Sequence, residues 1–291
     1  MEGDIVDYRK ERVSCMHKEP FQPSHHDSFL DVPQWNQHDS NLIVGFSTKN
    51  GGVSQNEFES LNLGLHVDDK KEDVLQNRRI LAEAVDVPLE QWTFAEQVHH
   101  NKVMKVSSHD AGKGMADYEK GMPQTDAIYT DQSNLLLALC FADCVPLYFY
   151  EPTRGLIGLA HAGWKGTVKN IAGEMVNAWV KNEGVSVENI RAVIGPSIGA
   201  CCYHVDDYVI KFVDEAIGNN KVDVYEEVSK GQYALNLQAL NAFLLEQAGV
   251  KTANIRSTSR CTSCEEELFF SHRRDRGKTG RMLSFIGYKE V

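Results

Sequence analysis

The stretch LLLALCFADCVPLYFYEPTRGLIGLAHAGWKG, residues 135–166, decides the fold class. Its apolar runs Leu135–Phe141, Val145–Tyr150 and Leu156–Ala160 are short, rich in aliphatic and aromatic residues, and bounded by turn-forming residues. That pattern predicts three successive strands. The last one runs into the glycine turn Gly163-Trp164-Lys165-Gly166, after which a helix is predicted over Thr167–Asn182. Side chains able to do chemistry stand at both breaks, Asp143 and Cys144 in one and His161 beside the other.

Working outward, strands are predicted at Leu42–Ser47, Trp92–Val98, Val103–Val106 and Ala127–Tyr129, with a helix at Glu72–Ala84 after the acidic pair Asp68-Asp69. Downstream come a strand at Ile190–Ile194, helices near Asp206–Ile217 and Leu235–Gln247, and strands at Ile255 and Leu283. Strands and helices are interspersed without strict βαβ alternation, which implies an α/β fold with mixed sheets. No internal repeat or low-complexity segment is visible. Residues 1–40 are polar without sustained periodicity and read as an irregular N-terminal extension with one short strand; the ordered domain is expected over 41–291.

Composition narrows the function class. The 291 residues carry a formal net charge of −11, against the basic face that a nucleic-acid backbone binder needs. No run of 18 apolar residues occurs, so no membrane span is expected, and MEGDIVDYRKERVSCMHKEP lacks the apolar core of a signal peptide. Seven cysteines, two of them adjacent (Cys201 and Cys202), suit a reducing cytoplasm better than a disulfide framework. Nothing in the composition points to one oligomeric state.

Three segments hold the sharpest candidates: Gln97-Val98-His99-His100, Ala142-Asp143-Cys144-Val145-Pro146 and Ala160-His161-Ala162-Gly163-Trp164. All lie where strands are predicted to end, the usual place for ligands in α/β folds. One thiolate with two imidazoles is a sound ligand set for zinc, and three protein ligands leave a fourth position open. His99, Cys144 and His161 would form it. No two lie within one turn of chain, however, so spacing alone does not fix such a site. Asp143 suits a general base or a residue that orients a ligand, against the plainer role of a turn aspartate.

The run Phe269–Arg281 (FFSHRRDRGKTGR) is concentrated positive charge in an acidic chain. Arginine forks there suit phosphate or carboxylate, with Arg273 and Arg274 the candidates if the loop folds back over the metal. Cys261-Thr262-Ser263-Cys264 is a lone CxxC and weak evidence for zinc or redox work. Cys140 reads as core, and the chemistry of Cys201 and Cys202 is left open.

Taken together, GFSTKNGGVSQNEFESLNLGLHVDD, VLQNRR, EQVHHNKV, TDAIYT, FADCVPLYFY, HAGWKGT, IGPSIGACCYHV and RCTSC with FFSHRRDRGKTGR, in this order over residues 42–288, resemble the YfiH/YlmD family. Its members are described both as laccase-domain or multicopper polyphenol oxidoreductase proteins and as purine nucleoside phosphorylases. The resemblance implies a single layered α/β/β/α domain, likened to the cysteine-hydrolase fold, and metal ligands at His99, Cys144 and His161. It implies phosphorolysis of adenosine, inosine, guanosine and methylthioadenosine, and deamination of adenosine. Two positions depart from the family pattern. His100 replaces a common glycine and adds a fourth or competing ligand. Lys49 replaces a common arginine, a point charge in place of a bidentate fork.

The expectation is therefore a zinc enzyme acting on purine nucleosides and phosphate, with Asp143 shuttling a proton and Lys49, Arg273 or Arg274 holding the phosphate. Two other readings compete. A copper-dependent polyphenol oxidoreductase would need several coppers on closely paired histidines, and the sequence has no His-x-His, although copper binds such donors tightly. A hydrolase would use Cys144 as nucleophile and His161 as base. A binding module with structural zinc is disfavoured, because such sites normally take four protein ligands. The HxE and PCxxC signature of zinc deaminases is absent, so deamination rests on the resemblance alone.

Overall fold

A computed structural model of the chain describes residues 19–37 and 39–289. The chain enters through β1 (Gln22–Pro23), β2 (Phe29–Asp31), a one-turn helix α1 (Pro33–Asn36) and β3 (Leu42–Ser47). Helix α2 (Lys71–Val85) precedes β4 (Trp92–Phe94), β5 (Val103–Lys105) and β6 (Ala127–Thr130). Then come β7 (Leu136–Phe141), β8 (Val145–Glu151) and β9 (Leu156–Ala162), followed by α3 (Trp164–Val168) and α4 (Ile171–Asn182). The rest is β10 (Arg191–Ile194), β11 (His204–Asp206), α5 (Asp207–Ile217), β12 (Tyr225–Ser229), β13 (Gln232–Leu235), α6 (Leu237–Gln247), β14 (Ile255–Ser257) and β15 (Met282–Tyr288).

Two six-stranded mixed sheets form the frame, in the orders β1-β2-β3-β15-β7-β4 and β14-β10-β8-β9-β6-β5. In β7 the side chains alternate between two cores. Leu137, Leu139 and Phe141 meet Tyr148, Ile157 and Leu159 of the second sheet, whereas Leu136, Ala138 and Cys140 meet Leu81 and Val85 of α2. β8 and β9 alternate likewise: Val145, Leu147, Phe149 and Ala160 face Trp179 of α4 and Leu240 of α6. A strand buried on both faces needs no polar alternation, which is why residues 135–151 read as nearly continuous apolar sequence. The layers are thus helix, sheet, sheet, helix, as the family resemblance implied.

Several elements differ from their sequence reading. Residues 19–37, read as part of an irregular extension, add two strands to the edge of β3 and place Phe21, Leu30, Val32 and Trp35 in the core between the sheets; residues 1–18 lie outside the described residues. The strand expected to run to Val98 stops at Phe94. Beyond it the Gln97 side chain donates to the Cys140 carbonyl at 2.8 Å and accepts from its N–H at 2.7 Å, replacing a backbone partner. The helix predicted over Thr167–Asn182 is two helices, because Asn170 takes a left-handed φ of 60° and caps the second by accepting from Gly173 N. The three-stranded sheet β11-β13-β12 was not foreseen; its strands are mostly exposed, so no apolar pattern marks them.

Leu139 is wholly buried between the sheets, so Leu139→Ala should lower unfolding stability by about 2–5 kcal/mol in a urea titration. A cost near zero would contradict a packed inter-sheet core.

Candidate metal centre

β7 leaves the first sheet at Phe141 and β8 enters the second at Val145, so Ala142–Cys144 is a turn passing between sheets. Asp143 has φ +82° there, a conformation few side chains tolerate. Its carboxylate accepts from the Thr262 hydroxyl (2.7 Å), the Ser271 hydroxyl (3.0 Å) and the Arg273 backbone N–H (2.7 Å). With three donors on it, Asp143 sets the turn that carries Cys144 and draws the 262–273 loop against it, while still lining the pocket.

His161 projects from β9 into the space between the sheets, its ring centroid 5.2 Å from that of Phe141. The residue that aims it is Asp126, wholly buried just before β6. Asp126 Oδ1 lies 2.9 Å from His161 Nδ1. The same carboxylate accepts the backbone N–H groups of Val98 (3.1 Å), His99 (3.0 Å) and His100 (2.8 Å). This holds His99 in a left-handed turn, φ +58°, and places its ring centroid 4.8 Å from that of His161.

A donor atom from each of His99, Cys144 and His161 lies within 4.8 Å of the others, with Cys144 Sγ 4.0 Å from His99 Nε2. Zinc–sulfur and zinc–nitrogen bonds set ligand atoms roughly 3.3–3.8 Å apart in a tetrahedron, so shifts of about 1 Å would complete the site. Because Asp126 occupies His161 Nδ1, Nε2 is the nitrogen left to bind, the usual carboxylate–histidine–metal arrangement. Space is also reserved: a Cβ on Gly163 would sit 2.9 Å from Cys144 Sγ and 3.1 Å from His99 Cδ2. His100 is exposed, with Nδ1 3.1 Å from Asn101 Oδ1, and stands outside this donor group.

Burial pushes the Cys144 thiol up, but the His161 charge and hydrogen bonds from His161 and His99 outweigh it and bring the thiol down to about 6. Burial likewise lowers His161, yet the Cys144 thiolate and Asp126 raise it to about 9. The metal-free protein therefore holds a thiolate–imidazolium pair between about pH 6 and 9. Asp126 stays ionised, since the hydrogen bond and charge of His161 and the backbone N–H donors overcome its burial.

The donors open onto a pocket of about 510 Å³, whose walls include His66, Trp164, Tyr203, His272, Arg273 and Arg281. The Arg273 guanidinium lies 5.0 Å from the Tyr203 ring centroid. His66 is held down to about 4 by burial and by Arg281 and Arg78, so it is neutral at pH 7. Of the cations expected to hold an anion, only Arg273 lines the pocket. Arg274 pairs with Asp275 and donates to the carbonyls of Thr262 and Phe269, and Lys49 is not among the lining residues. Arg281, Tyr203, His66 and above all Asp126 were missed. The one available signal for Asp126 was a carboxylate opening the apolar run Ala127–Tyr129, where a buried charge demands partners.

Asp126→Asn should weaken zinc binding by roughly 10–100-fold in a chelator competition, because the carboxylate–imidazole bond is lost. Unchanged affinity would contradict the positioning role. Zinc must displace the His161 proton, so affinity should rise with pH up to about 9, and uptake at pH 7 should release about one proton in calorimetry run in buffers of different ionisation enthalpy.

A family model described as "Multi-copper polyphenol oxidoreductase laccase" matches residues 43–289. Purine nucleoside phosphorylase YlmD of Bacillus subtilis is 51% identical over 261 residues, covering 90% of this chain and 94% of the relative. The crystal structure of YlmD from Geobacillus stearothermophilus superposes with a TM-score of 0.90 at 48% identity, over 94% of this chain and all of that one. The YfiH protein of Bacillus licheniformis gives the same values. With the matched model, the identity and the fold all in agreement, the chain belongs to the YfiH/YlmD family, the family of the laccase-like model.

Proposed function

We propose that the chain is a cytoplasmic, zinc-dependent purine nucleoside phosphorylase. The observation that carries this reading is the three-donor group opening onto a pocket with both aromatic and arginine walls. Its volume lies within the usual range for small-molecule sites. The relatives' shared name, purine nucleoside phosphorylase, supplies the substrate class.

His99, Cys144 and His161 would hold the metal, which supplies a redox-inert Lewis acid when bound. Phosphorolysis breaks the C1′–N9 bond while a phosphate oxygen bonds C1′, with positive charge developing on the sugar. In this reading Arg273 and Arg281 hold the phosphate oxygens by charge-assisted hydrogen bonds, and Tyr203 and Trp164 flank the base. Inosine, guanosine, adenosine and methylthioadenosine are the substrates, and hydrolytic deamination of adenosine is a second activity of the same pocket.

Two observations favour a second reading. The lowered Cys144 thiol beside His161, itself bonded to Asp126, has the makings of a cysteine–histidine–aspartate nucleophile. A nucleophile pair, however, has no use for His99 held by the same aspartate 4.0 Å from the sulfur. Thiol alkylation separates the two: a ligated Cys144 is protected until the metal is stripped, a nucleophile is not. The copper oxidase reading fits poorly, since among the described residues the only other donor group is made of four cysteines.

Protein prepared without added copper should release hypoxanthine from inosine only when phosphate is present, and Cys144→Ala should abolish the release. Arg273→Ala and Arg281→Ala should each raise the KM for phosphate by roughly 10–100-fold, the worth of a hydrogen bond to a charged group, whereas Lys49→Ala should leave it near the wild-type value. Full activity of metal-free protein, or oxidation of phenols by zinc-loaded copper-free protein, would overturn the assignment.

A further inference from the structure

Outside this pocket, four cysteines from two distant parts of the chain meet. Cys201 and Cys202 lie in the turn after β10, and Cys261 and Cys264 lie in the turn after β14. Their four Sγ atoms are all within 4.8 Å of one another, with Cys264 Sγ 3.5 Å from Cys201 Sγ and 3.4 Å from Cys202 Sγ. The two measured separations exceed a disulfide bond and fall a few tenths of an ångström short of the ~3.8 Å edge of a tetrahedron built on zinc–sulfur bonds of about 2.3 Å.

The backbone is arranged for the purpose. The parallel pair β10 and β14 continues past its strand ends, through a hydrogen bond from Thr258 N to the Ile194 carbonyl (3.0 Å) and a bridge between Ser197 and Cys261. Both turns therefore begin side by side. At one, Cys202 and Tyr203 N–H groups donate to the Gly199 carbonyl; at the other, Cys264 and Glu265 N–H groups donate to the Cys261 carbonyl. These tight turns bring each pair of thiols to one side. The Gly199 N–H points at Cys261 Sγ at 3.2 Å, the kind of donor that stabilises a thiolate. A Cβ on Gly199 would stand 3.3 Å from Cys201 Sγ and 3.4 Å from Cys261 Cβ, so the approach of the two turns depends on a small residue there.

We propose that Cys201, Cys202, Cys261 and Cys264 bind a second zinc ion in a closed tetrathiolate site. With all four positions filled by protein, such an ion is structural and offers no open position for chemistry. Its place explains what it would secure. Tyr203 follows Cys202 directly, and Thr262, which donates to Asp143, follows Cys261. The ion would pin the turn bearing Tyr203 to the loop that supplies Thr262, Ser271 and Arg273 to Asp143, and so fix one wall of the pocket.

The site is independent of the one at His99, Cys144 and His161, and the experiment separates them. Full-length protein purified without oxidant should contain two zinc equivalents per chain. Cys144→Ala should retain one, and X-ray absorption at the zinc edge of that variant should show sulfur neighbours alone at about 2.3 Å. Cys264→Ser should lose the second equivalent while keeping the first; Cys202→Ser provides the same reading if Cys264→Ser does not fold. Loss of all zinc in Cys144→Ala, nitrogen neighbours at the ion kept by Cys144→Ala, or a disulfide joining any two of the four cysteines in freshly purified protein would overturn the proposal.

Discussion

Asp126 carries an ionised carboxylate in a fully buried position, and the candidate metal centre depends on what surrounds it. A charge so placed costs several kcal/mol unless nearly every lone pair is answered. Here three consecutive backbone N–H groups, from Val98 to His100, and the His161 imidazole answer it. One side chain thereby settles two of the three donors: it fixes the tautomer and direction of His161 and folds the 98–100 turn that presents His99. Since Asp126 opens β6 and β6 pairs with β9, the carboxylate and His161 are also neighbours through the sheet, where His161 N donates to the Asp126 carbonyl at 2.7 Å.

The third donor arrives by a different route. Cys144 ends the turn in which the chain passes from one sheet to the other, and Asp143 holds that turn open to the pocket through Thr262, Ser271 and Arg273. Two hydrogen-bonded carboxylates, Asp126 and Asp143, therefore shape the centre, one from each side. Gly163 supplies the remaining condition, an absent side chain where the sulfur and the His99 ring come together.

Much of the fold was legible, because strands buried on both faces announce themselves as short apolar runs and those of 135–162 are of this kind. The exposed sheet β11-β13-β12 gave no such signal, and residues 19–37 were read by their polarity although Phe21 and Trp35 are buried. The three donor residues were legible by residue type and position at strand breaks, but not their convergence, which depends on pairings between segments far apart in sequence. Asp126 escaped for the same reason: a lone aspartate before a strand looks like a turn residue until its four donors are seen. The basic run did not tell Arg274 from Arg281: Arg274 pairs with Asp275 away from the pocket, whereas Arg281, which also donates to the Thr279 and Gly280 carbonyls, lines it. The lone CxxC looked weak because its partner pair lies some sixty residues upstream.

If Asp126 assembles a mononuclear zinc site from His99, Cys144 and His161, the ion and its neighbours can be seen. Anomalous diffraction from crystals of the zinc-loaded protein, collected on both sides of the zinc and copper edges, tests it directly. The expected result is a zinc-edge peak with Cys144 Sγ at about 2.3 Å and His99 Nε2 and His161 Nε2 at about 2.0–2.1 Å, with Asp126 still on His161 Nδ1. A copper-only signal from protein never exposed to added copper, a peak ligated by His100 in place of one of the three, or no peak at this position would contradict it.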